Sequence, residues 1–488
     1  MKIAISYPPI ESDKGVAEIS QNRQFNWFNS PTYVYPVVPA YAATMLKENG
    51  YEVFWDDGIS EELTLVEYMK RISREQPDII VMETKTPVIK TQWKIVKELK
   101  KNITNVKVVL VGDHVTALPQ ESFDKCGVDY VLTGGDYDFL LLNLCRYLTK
   151  GETLEPGIWY RENDEVRNTG SFQLNHDLNS MPFINRDLTK WWLYSEKNGN
   201  YKDLPGTYTM SGRDCWWNKC TFCAWTVLYP QFRVRTPESV LDEIGMLIER
   251  YKVKEIFDDT GTFPAGEWLE DFCQGMIERG YNRKVRIGCN LRYGRLNQEQ
   301  YSLMRKAGFR YLLFGLESAS QKTIDRINKG IKVADVVDGC KMAKKAGLEP
   351  HLTVMIGFPW ETKEDAIVTI KLAKEIFRQG FADTLQATIA IPYPGTPLFN
   401  ECQTRGWLVT QDWDDYDMRQ PVMTTPMSEA DIKQATQELY KIFFSARYIL
   451  RRLVSIRSLS DVKFISRGVR KILGHLKDFD AQNRVSNQ

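Results

Sequence analysis

The chain lacks several features that would point to particular classes of function. Its 488 residues carry a net charge of only +1, which gives no electrostatic argument for nucleic acid, so no nucleic-acid partner is expected. No apolar run reaches the length of a membrane-spanning helix. The N-terminus passes from a short apolar strand directly into Pro8 and Pro9, without the longer apolar run of a signal peptide. These absences predict a cytoplasmic protein.

Histidine is scarce, and the cysteines do not form the even set that a disulfide framework needs. The chain has four histidines, none close to another in sequence, and nine cysteines. Reduced thiols are therefore expected, and a cluster of thiols indicates a metal. Cys215, Cys220 and Cys223 fall within nine positions and form such a cluster.

A dinucleotide-binding fingerprint is also missing, because no G-x-G-x-x-G follows the first strand. Residues 1–150 instead alternate apolar runs with amphipathic segments, which predicts an α/β domain with a doubly wound parallel sheet. Ligands of such sheets bind at the carboxyl ends of the strands. The predicted strands are KIAIS (2–6), EVFWDD (52–57), DIIVME (78–83), VKVVLVG (106–112) and DYVLTGG (129–135).

A polar linker with one small hairpin is predicted over 151–205, and a second alternating series follows over 206–425. Its six strand–helix units predict a partial (β/α)6 barrel of the TIM type, with the active site at the C-terminal ends of the strands. Unusual local sequences fall at five of those ends. The predicted strands are GTYTMSGR (206–213), EIFDDT (255–260), KVRIGCNLR (284–292), YLLFGLES (311–318), HLTVMIGFP (351–359) and TLQATIAIPYPG (384–395).

The last region, 426–488, is predicted to be helical and basic. Between Lys441 and Lys477 there are ten Lys or Arg residues against one acid, Asp461. The favoured interpretation is a solvated basic face on a helix that packs against the barrel. Peripheral contact with the inner membrane face, or with an anionic substrate, is the alternative. One predicted apolar stripe comprises Val462, Ile465, Val469, Ile472, Leu473 and Leu476.

The three clustered cysteines have the spacing C-x4-C-x2-C, which lets their thiolates converge on one centre. Soft sulfur ligands favour zinc or an iron–sulfur cluster. A structural zinc needs a fourth ligand, which would have to come from a distant residue. A four-iron cluster held by three cysteines leaves one iron open for reaction, and it is the favoured interpretation.

This loop resembles the cluster loop of the radical S-adenosylmethionine (SAM) superfamily, whose usual spacing is C-x3-C-x2-C with an aromatic residue before the last cysteine. Phe222 fills the aromatic position, and the first gap is one residue longer here. The resemblance implies a 4Fe-4S cluster on Cys215, Cys220 and Cys223. It also implies that SAM is cleaved reductively there, with a flavodoxin or ferredoxin as the reducing partner.

Later motifs resemble the same superfamily in the same order along residues 205–425. DDTGTF follows the second barrel strand, FGLES the fourth, and IGFP and IPYPGTPL the fifth and sixth. The resemblance implies contacts to the methionine amino end, the ribose or carboxylate, and the adenine, respectively. The SAM-binding candidates are Phe222, Asp259, Thr260, Gly315, Glu317, Ser318, Gly357 and Pro394.

The first domain resembles the cobalamin-binding domain of one class of these enzymes, through YPP, VGDHVTALP and VDYVLTGGDYD. No D-x-H-x-x-G motif follows the first predicted strand, so no histidine from the protein is expected to bind the corrin. His114 either contacts the cofactor or hydrogen-bonds a loop. Alternatively, the domain has lost cobalamin and acts as a substrate lid. The cobalamin-binding candidates are Pro8, Gly112, His114, Gly134, Gly135 and Asp136.

The resemblance implies an enzyme that modifies an unactivated carbon of a small or lipid-like metabolite, and methyl transfer is the favoured reaction. A radical SAM oxidative cyclase or ring-rearranging enzyme is the main alternative. A methylthiotransferase is more distant, because such relatives carry three further cluster cysteines and this N-terminal domain has only Cys126 and Cys145. A cluster-bearing electron carrier would leave the ordered motifs at the strand ends unexplained.

Overall fold

The computed structural model of the chain describes residues 1–19, 26–29 and 33–478. Its first part is an α/β domain, as predicted. Its strands are β1 (Lys2–Tyr7), β2 (Val16–Glu18), β3 (Asn26–Phe28), β4 (Glu52–Asp57), β5 (Ile79–Thr84), β6 (Lys107–Gly112), β7 (Tyr130–Leu132), β8 (Ile158–Glu162) and β9 (Glu165–Asn168). Its helices are α1 (Val37–Glu48), α2 (Leu65–Glu75), α3 (Ile89–Asn102), α4 (Asp113–Ala117), α5 (Pro119–Lys125), α6 (Tyr137–Lys150) and α7 (Trp191–Lys197).

The main sheet of this part has the order β4-β1-β5-β6-β7-β8-β9, and β2 and β3 form a separate antiparallel pair. Alternate side chains of β5 enter different cores: Ile79 and Val81 lie on one face, and Ile80 and Met82 on the other. Helices therefore cover both faces of the parallel strands. Because β1 lies between β4 and β5, the winding reverses beside β1 and leaves a crevice at its carboxyl end.

The region predicted as a linker contributes to this sheet. The hairpin β8–β9 pairs antiparallel with β7, and Val131 faces Trp159. The sheet therefore extends well beyond residue 150. Without β8, the backbone N–H and C=O groups along one edge of β7 would be unpaired. Pairing with β8 satisfies these groups, and the short polar hairpin thereby becomes part of the apolar sheet.

The second part has a parallel six-stranded sheet in sequential order, β10-β13-β14-β15-β16-β17, as expected for a partial barrel. The strands are β10 (Gly206–Thr209), β11 (Gly212–Arg213), β12 (Arg233–Val234), β13 (Glu255–Asp258), β14 (Arg286–Leu291), β15 (Phe309–Glu317), β16 (Glu349–Ile356) and β17 (Thr384–Ile389). The helices are α8 (Trp225–Leu228), α9 (Pro237–Arg250), α10 (Glu267–Glu278), α11 (Gln298–Lys306), α12 (Gln321–Arg326), α13 (Val333–Lys345), α14 (Lys363–Gln379) and α15 (Pro397–Thr404).

The single strand predicted over 206–213 is two strands in the structure. The backbone N–H and the hydroxyl of Ser211 donate to the Asp258 carboxylate at 2.9 and 2.6 Å. These bonds turn the chain after β10, and β11 then pairs antiparallel with β12 instead of continuing the barrel.

In the described residues after the barrel, the α-helices are α16 (Glu429–Tyr440), α17 (Ala446–Val454) and α18 (Leu459–Asp478). The inner side of α18 lies across the N-terminal end of the barrel. Asp461 pairs with Lys202, and the Arg467 guanidinium donates to the carbonyl of Tyr201 at 2.7 Å. Within the described ranges, no helix is long and apolar enough to span a membrane.

Candidate active site

The three predicted cluster cysteines lie on the loop between β11 and α8, at the carboxyl edge of the barrel sheet. Two contacts tie the start of this loop to the turn after β13. The Asp214 carboxylate accepts a hydrogen bond from the backbone of Gly261 at 2.6 Å. The Cys215 sulfur lies 3.0 Å from the Thr262 hydroxyl. The first two barrel strands therefore position the loop together.

The tryptophans beside the cysteines pack the loop. The Arg292 guanidinium lies 4.7 Å from the ring centre of Trp217 and 5.5 Å from that of Trp216. The indole N–H of Trp217 donates to the carbonyl of Asn328 at 2.7 Å. Sequence reasoning missed Arg292, although a basic residue directly after the buried third barrel strand was a usable signal.

The donor set of the loop, three thiols on one short segment, fits an iron–sulfur cluster. All three cysteines are partly buried, and burial raises the pKa of the Cys220 and Cys223 thiols. The positive charges of Lys329 and Arg292 oppose this effect at Cys220 and favour the thiolate. Across the described parts of the chain, no three His, Cys, Asp or Glu side chains are close enough to hold one metal ion.

Glu317, at the end of β15, forms a buried ion pair beside this loop. The Lys329 ammonium lies 2.5 Å from its carboxylate, and the Thr353 hydroxyl donates to the other oxygen at 3.4 Å. Burial alone would lower the pKa of Lys329, but the charges of Glu317 and Cys220 and the hydrogen bond to Glu317 together raise it. A Cβ on Gly315 would lie 2.2 Å from Glu317 Oε1 and 2.4 Å from Lys329 Nζ, so glycine leaves the space for this pair.

Phe222, Asp259 and Thr260 also lie around the cysteine loop. Phe222 is buried, edge-on to Phe358 at 6.1 Å between ring centres. The Thr260 hydroxyl accepts a hydrogen bond from the backbone of Gly212 at 2.9 Å. Asp259 is buried at the end of β13, and its backbone N–H continues the pairing with β10. Thr260 thus holds the segment that leads into the cysteines.

The remaining SAM candidates lie at the ends of β15, β16 and β17. The Ser318 hydroxyl is 3.3 Å from that of Thr369. The backbone N–H of Gly357 donates to the Glu361 carboxylate at 2.6 Å, and burial raises the pKa of Glu361 to about 7. Pro394 is buried in the loop after β17. The structure therefore places all eight SAM candidates at one edge of the barrel.

Two of the cobalamin candidates, Gly134 and Gly135, contact residues outside the first 150. The Tyr229 hydroxyl donates to the carbonyl of Gly135 at 3.0 Å, and the Gly135 N–H donates to the carbonyl of Leu228 at 3.0 Å. A Cβ on Gly135 would lie 1.9 Å from the Tyr229 ring, and one on Gly134 would lie 2.5 Å from the ring of Phe172. Their contact with a corrin stays a prediction.

Asp136 belongs to a buried ion cluster that joins the two parts of the chain. Its carboxylate accepts hydrogen bonds from Arg213 at 3.0 Å and from Arg233 at 2.6 and 2.7 Å. His176 Nδ1 lies 3.1 Å from it. Burial alone would raise the pKa of Asp136, but these partners hold it well below its usual range. Arg213 also binds both oxygens of Asp138, at 2.9 and 2.6 Å.

The other cobalamin candidates line the carboxyl edge of the first sheet. Pro8 follows β1, and Gly112 ends β6. His114 is buried, with its ring nitrogens 3.1 Å from the Thr86 hydroxyl and 3.2 Å from the Glu121 carboxylate. These contacts favour the alternative in which His114 hydrogen-bonds a loop.

Sequence reasoning missed a buried polar pair in the crevice beside β1. The Tyr7 hydroxyl donates to the Glu83 carboxylate at 2.8 Å, and burial raises the pKa of Glu83 to about 7. The Lys85 ammonium lies 3.0 Å from Asp113. An acid at the end of the apolar run DIIVMET was the available signal.

The carboxyl edges of the two sheets face each other. One contact is the bond between Gly135 and Tyr229 described above. A second lies between the loop after β17 and α4, where a Cβ on Gly395 would lie 3.0 Å from the Cβ of Ala117. The candidate residues of both sheets therefore surround one interface.

Comparisons with known proteins agree with this division. The family model of the radical SAM superfamily matches residues 210–373, and that of the B12 binding domain matches residues 27–139. A Pyrococcus horikoshii protein described as an uncharacterized methyltransferase is 30% identical over 445 residues, covering 90% of this chain and 93% of its own length. The anaerobic magnesium-protoporphyrin IX monomethyl ester cyclase of Cereibacter sphaeroides is 25% identical, covering 84% of this chain and 67% of its own.

Two solved structures share the fold. The cobalamin-dependent SAM radical enzyme OxsB matches with a TM-score of 0.70 and 14% identity, over 97% of this chain and 71% of OxsB. The radical SAM methyltransferase TsrM of Kitasatospora setae matches with a TM-score of 0.68 and 12% identity, over 99% of this chain and 100% of TsrM. From these matches and the site geometry, the chain belongs to the radical SAM superfamily, among the members that carry a B12-binding domain.

Proposed function

We propose that this enzyme methylates an unactivated carbon of a small or lipid-like metabolite. The observation that carries the proposal is the contact between the two carboxyl edges, through Gly135 and Tyr229. This contact brings together the two sheet edges at which we propose that the methyl carrier and SAM bind. The methyltransferase relative that matches along nearly the whole chain supports the same reaction.

In this proposal Cys215, Cys220 and Cys223 hold the 4Fe-4S cluster. When bound, the cluster supplies the electron that cleaves SAM, and cobalamin supplies the methyl group. Lys329 and Arg292 bring positive charge to the thiolates, which stabilises the anionic ligand set. A flavodoxin or ferredoxin is proposed as the electron donor.

The proposed SAM contacts follow the strand ends. Asp259 and Thr260 are assigned to the methionine amino end, and Glu317 and Ser318 to the ribose or carboxylate. The Lys329 ammonium holds the Glu317 carboxylate in one orientation before SAM binds. The adenine is assigned to a border formed by Phe222, Gly315, Gly357 and Pro394.

For cobalamin, we propose the crevice beside β1, with Pro8 and Gly112 at its rim. The segment after β1 contains no histidine, so the corrin would have no histidine ligand from that position. Gly134, Gly135 and Asp136 would then border the cofactor from the barrel side while keeping their contacts to Tyr229 and Arg233. The Tyr7–Glu83 pair would offer a buried hydrogen-bonding group in that crevice.

Oxidative cyclisation is the second candidate, because two cyclase relatives cover 84% and 92% of this chain. A relative described as a putative methylthiotransferase covers 74%. That reaction is not favoured, because Cys126, directly after α5, and Cys145, within α6, are both buried thiols, and no third cysteine accompanies them in residues 1–150.

The test begins with anaerobic purification, reconstitution with iron, sulfide and cobalamin, and measurement of both metals. We expect about four irons and about one cobalt per chain. SAM with an isotopically labelled methyl group is then added with reductant. Methyl transfer predicts labelled methylcobalamin, seen by its absorption spectrum and by mass, and label in the product. Deoxyadenosine formation with no cobalt uptake and no label transfer would favour cyclisation.

A further inference from the structure

The C-terminal helices expose an unusual amount of apolar surface. In the described part of the chain, nine of the seventeen exposed large apolar side chains lie between residues 444 and 473. Such a concentration in one short segment marks an interaction surface, because single exposed apolar residues are otherwise scattered. The nine are Phe444, Ile449, Leu450, Leu453, Val454, Leu459, Val462, Val469 and Leu473.

On α18 these side chains form one stripe. Leu459 is 81% exposed, and Val462, Val469 and Leu473 are 47 to 49% exposed. Their spacing of three, seven and four residues puts them on one face of the helix. We call this face the outer stripe. The predicted stripe over 462–476 is thus divided in the structure, since Ile472 and Leu476 pack against the barrel core.

The opposite face of α18 is attached to the barrel, which keeps the outer stripe turned away from the protein. Asp461 pairs with Lys202, and Arg467 donates to the carbonyl of Tyr201. Phe464 lies 5.5 Å from the Arg310 guanidinium.

A row of cations runs beside the outer stripe. Lys463, Arg470 and Lys477 are all exposed and follow one another at intervals of seven residues, so they share one side of the helix. None of the three forms an ion pair with a residue that the structure describes. The one acid between Lys441 and Lys477, Asp461, is already paired with Lys202 on the inner face. Between Leu459 and Lys477, the exposed side of α18 is therefore apolar and cationic.

A basic cavity adjoins the start of α18. It has a volume of about 610 Å³, and Ser460 forms part of its wall. Its acid, Asp203, pairs with Arg286 at 2.6 Å. The remaining positive charge favours an anionic group next to the helix. The cations in its wall are Lys254, Arg283, Lys284, Arg286 and Arg305.

We propose that α17 and α18 dock the enzyme on an anionic phospholipid bilayer. The outer stripe enters the headgroup region, and Lys463, Arg470 and Lys477 face the lipid phosphates. A second copy of the chain fits less well, because a symmetric contact would bring two cationic surfaces together. This inference does not depend on the proposed reaction.

The experiment is sedimentation of the full-length protein with vesicles of phosphatidylcholine alone or mixed with phosphatidylglycerol. We expect binding to the mixed vesicles only, weakened by high salt. The triple variant Lys463→Gln, Arg470→Gln, Lys477→Gln should bind about a hundredfold more weakly, because each cation near an anionic surface contributes about fivefold. A matched triple variant on exposed lysines of α3, Lys94→Gln, Lys97→Gln, Lys101→Gln, should bind like wild type.

The apolar contribution is tested with Val469→Ser, Leu473→Ser. Ile367→Ser, Val368→Ser on α14 is the control, because these side chains are 40% and 49% exposed elsewhere. The first pair should weaken vesicle binding and the second should not. Circular dichroism and iron content verify that each variant folds. The proposal is overturned if mixed vesicles bind no protein, or if the α18 and α3 triple variants bind equally. It is also overturned if sedimentation velocity shows a dimer that Val469→Ser, Leu473→Ser dissociates.

Discussion

The ion cluster between the two parts of the chain makes a quantitative prediction about Asp138→Ala. Both oxygens of Asp138 bind the Arg213 guanidinium, and both side chains are at most 1% exposed. The substitution leaves Arg213 buried with Asp136, which also binds Arg233 and His176. The variant should therefore be strongly destabilised.

The size of the destabilisation in Asp138→Ala follows from the cost of leaving one member of a buried ion pair without its partner, which is about 3 to 5 kcal/mol. Because Asp136 stays 3.0 Å from Arg213, we expect the lower end of this range, about 3 kcal/mol. For a urea slope of about 3 kcal/mol per molar, the unfolding midpoint falls by about 1 M. Adding Arg213→Met removes the unpaired charge and should restore most of that loss.

The assay is urea unfolding followed by tryptophan fluorescence and circular dichroism. Glu375→Ala is the matched control, because its pair with Arg378 is exposed and its loss should leave the midpoint unchanged. The reasoning is refuted if Asp138→Ala unfolds at the wild-type midpoint. It is equally refuted if the double variant with Arg213→Met is no more stable than Asp138→Ala.

Three further predictions concern the site and its surroundings. Replacing any one of the three loop cysteines with alanine should abolish cluster loading and SAM cleavage, whereas Cys273→Ala, at a buried core thiol, should spare both; full iron loading in a loop variant would contradict the ligand assignment. Glu317→Ala should weaken SAM binding about tenfold or more at unchanged iron content, and unaltered affinity would remove Glu317 from the site. Burial alone would lower the pKa of His176, but its bonds to Asp136 and Glu155 raise it to about 9. Its stabilising contribution should be complete below about pH 6.5 and disappear as the pH rises through 9, so the melting temperatures of wild type and His176→Gln should converge over that range; a constant difference would contradict the ion cluster.

Much of the architecture was predictable because it depends on local periodicity. The apolar runs of β1, β4, β5 and β6 each begin and end within about one residue of their predicted limits. The barrel strands also follow their predicted order, and the unusual sequences lie at the predicted edge. The strand limits follow from local periodicity, and the strand order follows because consecutive strand–helix units usually lie side by side.

The errors have a common cause, which is contact between distant segments. The strand predicted over 206–213 is broken by hydrogen bonds from Ser211 to Asp258. The hairpin at 158–168 joins the first sheet only because β7 offers it an edge. Neither contact has a signal within its own segment. The exposed face of α18 also depends on contact with a distant segment, because packing against the barrel determines which side chains of this helix remain exposed.

By itself, the sequence determined the cysteine loop, because a segment of nine residues lets three thiols converge on one centre whatever the surrounding fold. It also determined the two α/β repeats and the order of the strand-end motifs. Only the tertiary structure decided which charges meet at the site. Lys329 reaches Glu317, and Arg213 reaches Asp138 across 75 residues. Such pairs depend on how two sheets pack, because a charged side chain carries no local pattern that identifies its partner.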